Sequence, residues 1–233
     1  MSALRRHIPR VQALGIGSPK LFLLYVLARG VLGSLALVIG VASLYGVLED
    51  WASTSADGGW GNAEVLKQFG LMQAMPALIA SVIGISAWSP FGEVERTAAS
   101  SLLRLRLLHI GVLLVLGIGV SWAYLLAWTS RAPGIELDVV ALRNLLGMSG
   151  GALLMGCYLD ARISWLPPLG MAVVATVAAM NGAPERIWAP ASWLWNGQSP
   201  DVQSSWLIAL VLFVVGAVLF LCDGAKDASG EEE

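Results

Sequence analysis

The chain has 233 residues, of which 57% are hydrophobic and 13% charged, whereas a soluble globular protein has about 45–50% and about 25%. A soluble fold of this composition, with a mean hydropathy of +0.72, would expose large apolar patches, so a membrane protein is predicted. The net charge of −2, from 14 basic and 16 acidic side chains, excludes a nucleic-acid binder, which needs a basic surface to meet phosphates.

The N-terminal segment, residues 1–20, has an amphipathic pattern. Leu4, Ile8, Val11 and Leu14 recur at near-helical spacing, with arginines on the other faces. This pattern predicts a short helix that lies in the inner membrane interface.

Apolar stretches that could cross a bilayer recur along residues 21–222. About 20 apolar residues cross a hydrocarbon core at a rise of about 1.5 Å per residue, and six stretches reach or approach that length. They are 21–48, 66–88, 107–128, 139–159, 163–180 and 205–222. The fifth is the weakest, because Pro167 and Pro168 interrupt its start. The predicted fold class is all-α, with six transmembrane helices and an acidic tail at 223–233.

Lysine and arginine placement orients these spans. With the N-terminus inside, nine basic residues outside the spans face the cytosol and four face outward or lie near the outer surface, in accord with the positive-inside rule. An even number of spans then places both termini in the cytosol. Tryptophans at span ends support the boundaries, because an amphipathic indole ring prefers the interface. They are Trp51, Trp88, Trp128, Trp165 and Trp206.

The cytosolic connection between the second and third spans, residues 91–104, reads FGEVERTAASSLLR. Charged residues come first, small residues follow, and the paired Leu102 and Leu103 lead into the next span. Glu93 and Arg96 are three residues apart and can pair on one face of a short helix. Such a helix could dock in a groove of a cytosolic protein; alternatively, the segment is a solvated connector whose charges only fix the topology.

Polar residues inside the spans allow two interpretations. Arg143 and Asn144 lie near the outer end of the fourth span, and Arg143 is expected to extend to the outer head groups. The alternative is that the pair lines a polar cavity for a substrate. Further candidates for such a cavity could equally bond to a neighbouring helix. They are Gln73, Ser81, Ser121 and Tyr124.

The run Gly147-Met148-Ser149-Gly150 in the fourth span resembles the G-x-S-G nucleophile turn of rhomboid proteases. A serine nucleophile needs a base within hydrogen-bond reach, which that family supplies from a histidine of the sixth span. The sixth span predicted here contains no histidine. The glycines therefore indicate close helix packing rather than a protease.

Motifs for other chemistry are missing from the sequence. His7 and His109 lie on separate segments without clustered metal-ligating neighbours, so no metal site is predicted. There is no G-x-x-x-x-G-K-[ST] phosphate loop. Cys157 and Cys222 are expected to be reduced thiols near cytosolic helix ends.

The outer segment between the fifth and sixth spans, residues 182–204, is rich in tryptophan. It contains Trp188, Trp193 and Trp195, three prolines and no lysine. Such a segment is expected to dip back into the outer leaflet, over about 184–197, or to pack on it.

Together these features resemble the six-span membrane subunits of ABC exporters of the type-2 class. Such subunits have cytosolic termini, an interfacial helix before the first span and a re-entrant stretch before the last. Their coupling helix between spans two and three often begins with a Glu-x-Glu-Arg-like run. Here that run is Glu93, Glu95, Arg96 and Thr97, with Arg96 in place of the glycine usual before the threonine.

The resemblance implies a non-enzymatic permease of the cell membrane. A separate ATPase subunit, binding ATP and magnesium, would dock on the coupling helix, and a second permease subunit, identical or related, would complete the pathway. The cargo would be a hydrophobic, peptide or drug-like molecule. Two alternatives remain open: a membrane binding or immunity protein that transports nothing, and a secondary transporter driven by an ion gradient.

Overall fold

The computed structural model describes part of the chain, and all regular structure within that part is helical. The described residues are 30, 32–40, 43, 70–88, 99–129, 137–180, 195–198 and 201–224. The predicted interfacial helix at 1–20 and the acidic tail from 225 onward lie outside them.

Six helices are described. They are α1 (32–40), α2 (Met75–Ser86, after a π-helical turn at Gly70–Ala74), α3 (Ala99–Thr129), α4 (Leu137–Tyr158), α5 (Leu166–Met180, after a 3₁₀ turn at Ala161–Ile163) and α6 (Gln203–Asp223). Over the described residues, the predicted all-α class is confirmed.

Within the described part of the chain, three helices are long and apolar enough to cross a membrane: Leu103–Ala123 in α3, Val139–Tyr158 in α4 and Gln203–Asp223 in α6. Two further apolar helices, Met72–Ser86 and Ala161–Val177, are shorter. This composition supports the expected membrane localisation, whereas the number of six spans and their orientation stay predictions.

The prolines of the fifth apolar stretch mark the beginning of a helix rather than an interruption. Pro167 and Pro168 both lie in the first turn of α5, and Pro76 lies in the first turn of α2. The first N–H groups of a helix have no intrahelical acceptor, so proline is tolerated there and its fixed φ suits the turn.

Side-chain contacts at the two ends of the bundle show the relative directions of the long helices. Near one end, Arg143 of α4 donates to Ser205 of α6; near the other, Arg106 of α3 donates to the carbonyl of Leu221 in α6. We call these the Arg143 end and the Arg106 end. Helices α4 and α6 therefore run parallel, and α3 runs in the opposite direction.

The shorter helices continue this alternation. Asn144 Nδ2 donates to the carbonyl of Met72, just before α2, and Trp88, just after α2, lies under the guanidinium of Arg162. Helix α2 is thus parallel to α4 and α6. Helix α5, which follows the turn that carries Arg162, runs in the opposite direction. The Arg106 end corresponds to the side predicted to face the cytosol.

Helix α4 is the centre of the bundle. Within the three long spans, 67% of the α4 window is buried, against 33% of the α3 window and 22% of the α6 window. Helices α4 and α6 meet at Gly150 and Gly216, where a Cβ on either glycine would overlap the facing backbone. Small residues allow this close approach, from which membrane helices gain van der Waals contact.

Apolar side chains from five helices fill the space around α4. One buried cluster joins Val38 of α1 to Ile79 of α2, Leu113 of α3, Leu145 of α4 and Phe220 of α6. A second, smaller cluster lies between α2, α4, α5 and α6 and includes Trp195.

Candidate functional site

Five polar side chains form a buried cluster toward the Arg143 end of the bundle. We call Gln73, Arg143, Asn144, Asn196 and Ser205 the polar cluster; each is at most 1% exposed. They come from the π-helical turn before α2, from α4, from segment 195–198 and from α6. A buried polar group is costly unless it is hydrogen-bonded, and contacts within the cluster and with nearby backbone carbonyls supply most of those bonds.

Arg143 is the cationic centre of the polar cluster. Its Nη1 donates to the Ser205 hydroxyl at 2.8 Å, and its Nη2 donates to the carbonyl oxygens of Asn196 at 3.1 Å and Gln198 at 2.9 Å. Nε and Nη2 also lie 3.3 Å from Oδ1 of Asn144. The expectation that Arg143 extends to the outer head groups is wrong, because its side chain is fully buried among these acceptors.

The backbone carbonyl of Asn196 accepts from three side chains. The donors are Gln73 Nε2 at 2.6 Å, Asn144 Nδ2 at 2.9 Å and Arg143 Nη2. The side-chain Nδ2 of Asn196 donates to Gln73 Oε1 at 2.8 Å and to the carbonyl of Met171 in α5 at 3.2 Å. Asn196 Oδ1 is buried with no hydrogen-bond partner in the described part of the chain. Asn196 is thus bonded to α4, to α5 and to the turn before α2.

Segment 195–198 reaches deep into the bundle. The ring of Trp195 is 2% exposed and packs on Gly147, where a Cβ would lie 2.8 Å from its Cζ3. Gly147 is at the midpoint of α4, which runs from Leu137 to Tyr158. The described part of the predicted re-entrant segment therefore lies among the helices; Trp188 and Trp193 lie outside the described residues.

The glycine-serine run of α4 serves helix packing. The Trp195 ring packs on Gly147, and the backbone of α6 at Leu212 and Phe213 packs on Gly150. Ser149 is fully buried, and its hydroxyl has no hydrogen-bond partner among the described residues.

The residues predicted to line a substrate cavity occupy different environments. Gln73 and Asn144 belong to the polar cluster, where they bond to protein groups. Ser81 is buried and donates to Ala77 within α2 at 2.7 Å, and Ser121 donates to Gly117 within α3 at 2.7 Å. Tyr124 belongs to α3, but its side chain lies outside the described residues. Their contact with a substrate stays a prediction.

The predicted coupling helix is described only at its end. Glu93, Glu95, Arg96 and Thr97 lie outside the described residues. Residues 99–104 are continuous with α3, which begins at Ala99 and not at 107. Leu102 lies in this first part of α3 with its side chain outside the described residues, and Leu103 is 41% exposed.

Comparison with protein-family models, curated proteins and solved structures finds no match for this chain. The site is therefore interpreted from its own geometry.

Sequence reasoning missed a second arginine, at the opposite end of the bundle. Arg106 is 1% exposed; its Nη1 donates to the Leu221 carbonyl at 3.2 Å, and its guanidinium lies 5.9 Å from the ring centre of Phe220. Gly224, at φ 75°, ends α6 against the same guanidinium, since a Cβ there would lie 2.7 Å from Nη2. Gly224, two residues after the apolar Cys222, could have been recognised in the sequence as the end of the helix, whereas its contact with Arg106 could not.

The polar cluster holds separate elements of the fold together. The guanidinium of Arg143 and the two amide side chains bind backbone carbonyls of separate elements. Among the described residues, no group of three His, Cys, Asp or Glu side chains could hold a metal ion. The polar cluster is therefore best described as a clamp on segment 195–198.

Proposed function

We propose that the chain is a membrane-spanning permease subunit that works with a separate ATP-binding subunit to export a hydrophobic, peptide or drug-like molecule. ATP and magnesium would bind to the partner, and a second permease subunit would complete the pathway. The chain would contribute helices, a docking segment and the outer side of the pathway.

The observation that carries the proposal is the position of segment 195–198. Trp195 lies against the midpoint of α4, and Asn196 is bonded to Gln73, Asn144 and Met171 around it. The resemblance to exporter permeases implies a re-entrant segment directly before the last span. A segment that lies among the helices there and is held by buried hydrogen bonds fits that expectation.

The connection between α2 and α3 supports the same proposal. Both of its ends are held to other helices: Trp88 lies under Arg162, and Arg106 is bonded to the end of α6. A partner that moves the intervening residues, 89–98, would act on α2 and α3 together, and through these contacts on the α4–α5 turn and on α6. This connectivity fits a docking segment whose movement is transmitted to the spans.

The proposal is tested by purifying the chain in mild detergent from its native host and identifying what copurifies. We expect an ATP-binding subunit in the preparation and its release by Glu95→Ala and Arg96→Ala. The matched control is Glu136→Ala, which removes one carboxylate from the predicted outer side and should leave the complex intact. A chain that purifies without any ATPase, or one whose ATPase stays bound after both substitutions, would contradict the proposal.

A second candidate is a membrane binding protein that transports nothing. The observation that favours it is that Gln73 and Asn144, two of the predicted cavity residues, are bonded to protein groups. Such a protein would bind a target through the predicted outer segment, or protect its host as an immunity protein does. Either activity would persist after loss of every ATPase. An ion-driven transporter would instead lose activity when the proton gradient collapses.

A further inference from the structure

Helix α3 carries a groove on the face that points away from the bundle. The groove has a volume of about 600 Å³; Arg104 lies at one end, Gly111 at its centre, and leucine and valine side chains line it between residues 107 and 116. Leu107, Leu108 and Val115 are each more than half exposed. The opposite face of α3 is buried in the core. It includes Ile110, Leu113 and Leu114.

The contact between α3 and α6 places the groove within one half of the membrane. Arg106 is bonded to Leu221, at the end of the α6 span Gln203–Asp223. Arg104 lies two residues earlier in α3, about 3 Å farther from the membrane centre. The groove runs inward from Arg104 to Leu116 over about 18 Å. One leaflet of a hydrocarbon core of about 30 Å is about 15 Å deep.

Gly111 gives the groove its depth. Among the described residues, no atom would lie within 4 Å of a Cβ at Gly111, so no described helix packs into the notch. Its neighbours on the same face are long aliphatic side chains. The groove is therefore apolar along its length, with a cation only at the end that lies at the membrane surface.

We infer that this groove binds one acyl chain of an anionic phospholipid whose phosphate is held by Arg104. A guanidinium binds phosphate through paired, charge-assisted hydrogen bonds, and the apolar length matches a chain that runs toward the membrane centre. A symmetric contact between two copies through the groove would bring two Arg104 guanidinium groups to the same membrane level, where they repel. A phospholipid brings the opposite charge. The inference does not depend on the permease proposal.

Lipid titration of the full chain, followed by native mass spectrometry, tests the inference. The probes are phosphatidylglycerol and phosphatidylcholine with the same acyl chains. We expect the wild-type chain to bind phosphatidylglycerol more tightly. Arg104→Gln should weaken that binding about fivefold, the factor expected for one basic residue near a lipid surface. It should weaken phosphatidylcholine binding less, because the choline cation offsets the charge of the phosphate that the two lipids share. Gly111→Leu, which fills the notch, should weaken binding of both lipids.

Two matched variants control for charge and for added bulk. Arg162→Gln removes another exposed arginine at the same end, and Gly119→Leu adds the same side chain to α3 at an open position outside the groove; neither should change lipid binding. Equal binding of the two lipids by the wild-type chain would overturn the inference, even if Gly111→Leu did not fold. So would equal effects of the test and control variants. Loss of a dimer without a change in lipid binding would assign the groove to a second copy instead.

Discussion

The Arg143 guanidinium donates to the Ser205 hydroxyl at 2.8 Å, and both side chains are fully buried. Through this bond α4 holds the beginning of α6, while the same guanidinium holds the carbonyls of Asn196 and Gln198. One side chain therefore connects two spans and the sunken segment. A change at this position is expected to affect all three together.

Arg143→Gln should lower the free energy of unfolding by about 1–3 kcal/mol, because shortening the side chain leaves buried carbonyl oxygens with fewer donors. It should also increase hydrogen exchange in segment 195–198. Unfolding by SDS titration in mixed micelles measures the first effect, and exchange with mass spectrometry the second. Arg104→Gln removes an exposed arginine of α3 and is the control. Equal behaviour of the two variants would show that the polar cluster does not hold the segment.

Gly147→Ala should destabilise the fold by about 1–3 kcal/mol, because the new methyl group overlaps the Trp195 ring at the midpoint of α4. Gly151→Ala, one turn farther along, has open space at its Cβ and should be neutral or stabilising by up to about 1 kcal/mol, since alanine favours a helix over glycine. Thermal unfolding of the two variants in the same detergent gives the comparison. If Gly147→Ala were as stable as Gly151→Ala, the Trp195 ring would not pack on Gly147.

Gly216→Ala should separate α4 from α6, because its Cβ would overlap the backbone of Gly150 and helix backbones cannot yield as a flexible side chain can. We expect a loss of stability larger than that of any alanine substitution at an open glycine. Gly119→Ala in α3 is the matched control, since no described residue lies within 4 Å of its Cβ. SDS titration of both variants measures the difference in stability. If Gly216→Ala unfolds at the same SDS concentration as Gly119→Ala, the close contact of α4 and α6 at Gly216 is contradicted.

The helices could be predicted from apolar length, and most of their ends could not. The stretches 139–159 and 205–222 match α4 and α6 closely. Helix α3 begins at Ala99, before its apolar residues, because alanine, leucine and arginine favour a helix whether or not lipid surrounds them. Helix α5 begins at Leu166, directly before its prolines, because proline in the first turn removes no intrahelical hydrogen bond.

The environment of Arg143 could not be predicted from the residues beside it. A position near the end of a span favours extension to the head groups, and this expectation was wrong because the acceptors lie elsewhere in the chain. The carbonyls of Asn196 and Gln198 are 53 and 55 residues away. The tryptophan-rich composition of 182–204 did predict that this segment is no free loop, and the position of Trp195 agrees with that interpretation.

Arg106→Gln should loosen the last turn of α6 without unfolding the bundle. The arginine donates to the Leu221 carbonyl, and a cation at a helix C-terminus stabilises it by about 0.3–1 kcal/mol. Backbone exchange at residues 221–224 should therefore rise about two- to fivefold, while exchange in α4 stays unchanged. Arg104→Gln, on an exposed arginine of the same helix, is the control. If both variants raise exchange at 221–224 equally, the effect comes from lost charge at this end, and Arg106 is not the cap of α6.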